Sequence, residues 1–498
     1  MSFFKKSIVK FLANQNKKYV VRHSNNALLN QKKIFQKHMR LLTQTEFGKS
    51  IGAKKNLTLD EFREISTINS YEDISPFIER IAIGEENVLW PGGVLYFAKT
   101  SGTTSGTKYI PLTKEMLNYQ INASKEALLL YAYNNKKYDL VGGKMMFLQG
   151  SPVLKKHKKI QTGRLSGIVA HHIPRFLKSN RLPTIKTNSI ENWEKKLLKI
   201  IDETLFSDLR LIGGIPPWII MYFQKVLETS KLKSIAEIFP NLSLYVHGGV
   251  NFKPYKNTLK NLLPGVDFLE YYPASEGFIG YQDNINNDGL LLLTNHGVFY
   301  EFIESEKFIS GNYKRICLKD VVLGENYVLI LNTCSGLWSY NIGDTVEFVS
   351  LNPYRIIVTG RVGHFISAFG EHVIGKEVEG ALESGLRLFG GEVSAFTVCP
   401  KIQPEKGLPH HEWFVEFIKK PKNFGAFCAH LDGCVRKHNI YYNDLVENFI
   451  IKPLVVNCVK VGSFNNYMHS IGKLGGQNKC PSLSNDRKIG NYLNNYLE

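Results

Sequence analysis

Two hydrophobic rhythms run along this chain, and the places where one gives way to the other mark out its organisation. From residue 25 to 47 the apolar positions Leu28, Leu29, Ile34, Phe35, Met39, Leu41 and Leu42 recur at helical spacing. A strand follows over 93–99. Thr113 is a suitable N-cap for a helix over 114–134, with Glu115 favourably placed in its first turn. Short apolar runs at Lys144–Leu148, Leu209–Ile212, Leu242–His247 and Val266–Tyr271 read as strands. Helical runs at Trp218–Thr229 and Tyr255–Leu263 alternate with them. Strands alternating with helices predict a largely parallel sheet covered on both faces.

From Leu290 to Val358 the helical rhythm stops. Leu290–Leu293, Val298–Ile303, Arg315–Leu318, Tyr327–Leu331, Thr345–Val349 and Arg355–Val358 read as strands alone, which suggests a small distorted β-barrel attached to the α/β layers. Beyond Arg361 come a helix over 375–388, strands at 393–398 and 413–418, and a helix over 424–438, a mixture suited to a smaller α+β cap. A chain of 498 residues exceeds one core. The expected division is 1–361 and 362–498.

Composition narrows the class. An apolar content of 43% with 12% aromatics fits a globular enzyme. No apolar run approaches the ~20 residues that cross a bilayer; the longest, Leu211–Phe223, is interrupted by Pro216-Pro217. Seven cysteines with no Cys-x-x-Cys spacing read as reduced thiols in a cytoplasmic protein. The net charge is +18, and the first 40 residues hold ten Lys or Arg and no acid. No nucleic-acid-binding signature accompanies that charge, so it reads as a solvated basic surface, with the N-terminus part of the fold. The pairs His171-His172 and His410-His411 lack metal-ligand spacing and are expected at the surface.

Candidate chemistry starts at Thr100-Ser101-Gly102-Thr103-Thr104-Ser105-Gly106-Thr107-Lys108. Glycines let successive N–H groups converge on an anion, hydroxyls add donors, and Lys108 adds charge. The spacing is not that of a Walker A loop. Two further segments share the character of a nucleotide site. They are Glu270-Tyr271-Tyr272-Pro273-Ala274-Ser275-Glu276-Gly277 and Gly336-Leu337-Trp338-Ser339-Tyr340-Asn341-Ile342-Gly343-Asp344, the latter followed by Thr359-Gly360-Arg361. Taken singly, each has a plain structural reading as a helix cap, a hairpin turn or core.

Together their order and spacing resemble the three nucleotide motifs of adenylate-forming enzymes. More narrowly, the chain resembles the Gretchen Hagen family of acyl acid amido synthetases (the auxin-responsive promoter family) in its bacterial branch. The likeness begins near Leu41–Lys49 and takes in Tyr71–Ile74, Phe97–Thr104 and Asn295–Phe302. Its last clear block is Gly472–Lys479, so that residues from about 40 to the C-terminus are covered.

The resemblance implies an α/β adenylate-forming domain with a mobile C-terminal cap, and ATP with Mg²⁺ as cofactors. The implied reaction activates a small carboxylic acid as an acyl adenylate and passes it to an amine, expected to be that of an amino acid. A thioester-forming acyl-CoA ligase, and a nucleotide-binding protein without turnover, are the alternatives. In the site so implied, Ser101, Gly102, Thr103, Thr104, Ser105, Gly106 and Lys108 neutralise phosphate. Glu276 offers a hard oxygen for Mg²⁺ beside Ser275. Asp344 accepts from the ribose hydroxyls. Tyr271 or Tyr272 faces adenine, and Gly248-Gly249 lets the main chain approach the base. Arg361 stands at the expected hinge. Lys479, with Lys473 as its rival, stands where the family places a mobile-domain lysine, and Ser482 replaces the arginine expected after Pro481. Leu165-Ser166-Gly167 and Gly214–Trp218 are candidates for the acyl pocket.

Overall fold

A computed structural model describes residues 3–101, 107–173, 179–190, 192–249, 252–362, 365–366, 368–369, 371, 373–447, 449–474, 480–484 and 487–498. They group into two compact units. The first comprises Met1–Gly214, Phe239–Gly249 and Asp267–Val358; the second comprises Ile215–Ile238, Val250–Val266 and Thr359–Glu498.

The parallel strands expected from the sequence are present. Lys144–Phe147, Leu209–Gly213, Leu244–Gly248 and Asp267–Pro273 pair in parallel in that order, with Arg181–Leu182 on the outer edge. Phe278–Tyr281 then turns back antiparallel against Asp267–Pro273, and Leu290–Leu292 against it in turn. The strands of the all-β stretch continue the same hydrogen-bonded order outward, through Tyr354–Arg361, Tyr340–Leu351, Asn326–Thr333, Val298–Glu304 and Ile316–Cys317. Among the described residues this makes one sheet of twelve strands, parallel at one end and antiparallel at the other.

A second sheet was only partly foreseen. Tyr96–Ser101 pairs with Thr107–Leu112 as a hairpin and runs parallel to Ile160–Gly163, which pairs with Lys155–His157. The segment after the hydroxyl stretch is therefore a strand before it becomes a helix. Pro111 sits in that strand without penalty because the strand lies at the sheet's edge, where a missing N–H breaks no ladder. The basic strand Lys155–His157 forms the opposite edge of the same sheet. Lysines there oppose strand addition.

The helix Lys114–Asn134 has the foreseen bounds and the foreseen cap. Thr113 Oγ1 accepts from Met116 N and donates to the Cys334 carbonyl. One bond starts the helix, while the other ties it to the turn before Gly336. The main core draws on both ends of this unit. Met39, Phe62, Ile78, Leu89, Trp90 and Phe97 pack with Val298, Phe302, Trp338 and Phe348. Trp90 stacks on Trp338 at 5.7 Å, with the buried His38 ring edge-on to both.

In the second unit Glu392–Lys401 and Val455–Val459 flank His410–Lys419 in a three-stranded sheet, packed by the helices Gly375–Phe389 and Phe424–His438. His410 and His411 begin the central strand, and both are buried, contrary to the surface position expected for them. His411 Nε2 lies 2.8 Å from Glu371 Oε1, so a hydrogen-bonding partner accompanies the imidazole into the interior.

Candidate functional site

The carboxyl ends of parallel strands leave a crevice where ligands bind in open α/β sheets. Here those ends are occupied by Gly213-Gly214, Gly248-Gly249 and Pro273–Gly277. At Gly248 the neighbouring strand comes so close that an added Cβ would lie 2.1 Å from the Tyr271 carbonyl oxygen. Gly249 follows at φ 78°, a left-handed conformation that turns the chain away from the sheet.

Between Asp267–Pro273 and Phe278–Tyr281 the chain makes a tight turn. Ala274 N donates to Gly277 O, and Gly277 N donates back to Ala274 O. Ser275 and Glu276 form the tip, half-buried. Gln120 Nε2, from the middle of the helix Lys114–Asn134, donates to the Ala274 carbonyl at 2.8 Å and fixes the turn. Gln120 was missed from sequence. Its signal was one polar side chain at helical spacing among the buried Met116, Ala123 and Ala127.

The two tyrosines separate because successive strand residues face opposite ways. Tyr271 turns inward, donates to the Ser124 carbonyl, and packs edge-on against Phe278. Burial raises its pKa far above the ordinary phenol value. Tyr272 turns the other way, and its hydroxyl donates to Asp344 Oδ2 at 2.5 Å. Two residues from different motifs, 72 positions apart, are thereby joined side chain to side chain.

The segment that leads into Asp344 is held in place by hydrogen bonds. Asn341 N donates to Asn69 O, and Gly343 N to Asn341 Oδ1. Asn69 also receives the main chain on its other side, donating from N to Ser339 O and from Nδ2 to Trp338 O. Arg315 bonds Ser339 Oγ and the carbonyls of Arg63 and Ser66, while Arg63 and Arg315 share the fully buried Glu301 carboxylate. At Gly336 (φ 87°) a Cβ would meet Leu89 O at 2.5 Å, and Trp338 Nε1 donates to that same carbonyl.

Within the hydroxyl stretch, Ser101 pairs opposite Thr107. Gly102, Thr103, Thr104, Ser105 and Gly106 lie outside the described residues. Lys108 stands opposite Thr100, with its ammonium 5.4 Å from the centre of the Tyr71 ring. Tyr71 begins the helix Tyr71–Ala82 and accepts from Tyr109 N at 2.9 Å, which anchors the hairpin. Arg361 ends the strand Tyr354–Arg361 and is exposed. Lys479 lies outside the described residues. Lys473 is described and exposed, and Ser482 O accepts from Val398 N.

Gly167 sits so close to Ser151 that a Cβ would meet its carbonyl at 2.7 Å, and Ser166 Oγ is buried with no hydrogen-bond partner among the described residues. Among the described residues no group of three or more His, Cys, Asp or Glu could hold a metal ion by itself. None of the seven cysteines is in a disulfide.

Three family models match consecutive stretches: the GH3 family N-terminal domain over residues 17–196, the central domain over 291–361, and the C-terminal domain over 376–488. A jasmonoyl–L-amino acid synthetase of Nicotiana attenuata is 22% identical over 385 residues, covering 64% of this chain and 66% of that protein, just under two thirds of its length. An indole-3-acetic acid-amido synthetase of Arabidopsis thaliana is 22% identical over 523 residues, covering 87% of each. Among solved structures, the GH3.15 acyl acid amido synthetase superposes with a TM-score of 0.78 at 17% identity, over 95% of this chain and 94% of that one. That structure shares the mixed α/β fold, with its large N-terminal and smaller C-terminal parts.

Proposed function

The chain belongs to the GH3 family, and from that membership we propose that it is an ATP-dependent acyl acid amido synthetase, acting in the cytoplasm and standing in the family's bacterial branch. It activates a small carboxylic acid as an acyl adenylate, releases pyrophosphate, and transfers the acyl group to an amine, of an amino acid by the analogy of its relatives. The observation that carries the reading is the family match in three consecutive segments across residues 17–488. It is supported by the joining of its motifs at Tyr272 and Asp344.

The proposed roles follow from placement. Adenylation needs a carboxylate oxygen to attack the α-phosphorus while pyrophosphate leaves, so the protein's work is to position the reactants and stabilise charge. Asp344, pre-set by Tyr272, accepts from the ribose hydroxyls. Gly248-Gly249 and the ring of Tyr272 border the base. Residues 101–106 with Lys108 meet the phosphates. Glu276, at the end of a turn clamped by Gln120, would hold Mg²⁺ together with phosphate oxygens, an arrangement suited to a cation that takes one or two carboxylates. Mg²⁺ supplies charge neutralisation at the phosphates. Lys479 would stabilise charge during adenylation, carried by a cap that begins after Arg361.

ATP–pyrophosphate exchange across a panel of carboxylic acids, followed by product analysis with amino acids and with coenzyme A, tests the reading. Acid-dependent exchange with amide products supports it. Thioester products would make the chain an acyl-CoA ligase, and no exchange with any acid would leave only nucleotide binding.

A further inference from the structure

The basic N-terminus has no part in that chemistry. Its helix, Phe3–Ser24, carries six Lys or Arg and no acidic residue. It is fastened to the first unit along one line, in which Ala13, Asn16 and Val20 are buried. Asn16 Nδ2 donates to the Glu126 carbonyl at 2.8 Å, and Tyr19 Oη accepts from Asn295 at 2.9 Å.

The other side of the helix is open. Ile8, Phe11 and Leu12, at i, i+3 and i+4, are 43%, 62% and 40% exposed. Phe11, Lys18 and Arg22, at i, i+7 and i+11, lie on the line opposite Ala13 and Val20. Among the described residues none of Lys6, Lys10, Lys17, Lys18 or Arg22 takes part in an ion pair. The helix thus has two apolar stripes. One is buried in the protein, and the other is exposed and bordered by Lys18 and Arg22.

We propose that this outer face docks the enzyme on an anionic membrane surface. The cations meet lipid phosphate and carboxylate headgroups, and Phe11, Ile8 and Leu12 enter the boundary between headgroup and acyl chain. Three apolar side chains gain nothing from a nucleic-acid backbone, which is polar throughout, so a lipid surface fits the pair of features better. No described helix is long and apolar enough to cross a membrane, and docking on the surface requires none.

The test is co-sedimentation of the full chain with vesicles of phosphatidylcholine alone, and of phosphatidylcholine with about one third phosphatidylserine, at ~0.1 M salt. The parent should pellet with the anionic vesicles and stay free with the neutral ones. Replacing Lys18 and Arg22 by Gln should lower the partition coefficient by about 10-fold or more. The pair Ile8→Ser and Phe11→Ser should lower it about 10-fold or more with the charge untouched. All four side chains are exposed, so both variants should keep the parent's thermal midpoint. The proposal is overturned if the parent does not pellet with anionic vesicles, or if the Ile8→Ser/Phe11→Ser variant binds as the parent does. It is equally overturned if a DNA duplex is bound by both in a salt-dependent way while vesicles are not, which would make the face a nucleic-acid site.

Discussion

Replacing Tyr272 by Phe deletes one hydroxyl and keeps the ring beside the proposed base site. The lost bond is short, 2.5 Å to Asp344 Oδ2, and ends on a carboxylate. Hydrogen bonds to charged groups contribute about 1.5–3 kcal/mol. If Asp344 receives the ribose hydroxyls, that energy keeps its carboxylate in one orientation before ATP arrives, and a freed carboxylate must be ordered on binding. The KM for ATP should therefore rise by about 10-fold, and by no more than about 10²-fold if the whole bond energy is lost from binding. The kcat should hold, because the contact serves ground state and transition state alike. Asp344→Ala should raise KM at least as far, and adding Tyr272→Phe to it should change little, since the hydroxyl then has nothing to orient. Initial rates of pyrophosphate exchange against ATP concentration for the four proteins measure all of this. Additive effects in the double variant, or an unchanged KM in Tyr272→Phe, would refute the argument that the pair acts as one ATP-binding unit.

Glu276→Gln should lower kcat for adenylation by about 10² or more while the fold persists; parental rates at limiting Mg²⁺ would remove Glu276 from the site. Lys479→Ala should impair synthesis from free acid and ATP yet spare amide formation from synthetic acyl adenylate, with Lys473→Ala doing neither; identical behaviour of the two variants in both assays would sink the lysine assignment. Burial pushes the His38 imidazole down to about 3. Below pH ~6.5 the unfolded chain therefore takes up a proton that the folded chain refuses, and this residue alone costs about 1.4 kcal/mol of stability per pH unit. His38→Leu should flatten the acid side of the thermal midpoint between pH 6.5 and 4.5, and a curve parallel to the parent's would place that sensitivity elsewhere.

The legible parts were those where one segment carries its own signal. The cap at Thr113, the helix behind it and the parallel strands could be read because periodicity and capping are local. The two histidines were misread because His410–Lys419 is a central strand, and its burial depends on Glu392–Lys401, Val455–Val459 and Glu371, all distant in sequence. The strand Thr107–Leu112 was missed because proline argues against strands except at edges, and edge position is a property of the whole sheet. At the site, the motif residues were visible but their supports were not. Gln120 reaching Ala274, and Asn69 holding Trp338 and Ser339, join elements 154 and about 270 residues apart.

The union of Leu89 and Trp90 with Gly336 and Trp338 also bears on how the protein is made. A ribosome releases the chain from its N-terminus, and Leu89 waits for some 250 further residues before its carbonyl meets the Trp338 indole. Until the strands from Asp267 to Leu351 have emerged, Phe62, Ile78, Trp90 and Phe97 have half their neighbours unmade. Contacts of such sequence separation form slowly, and the exposed apolar surface invites aggregation in the interval. Translation speed and chaperone supply therefore weigh on the yield of this protein, and a fragment ending before residue 290 should remain an open, sticky chain however faithfully its own helices and strands are written.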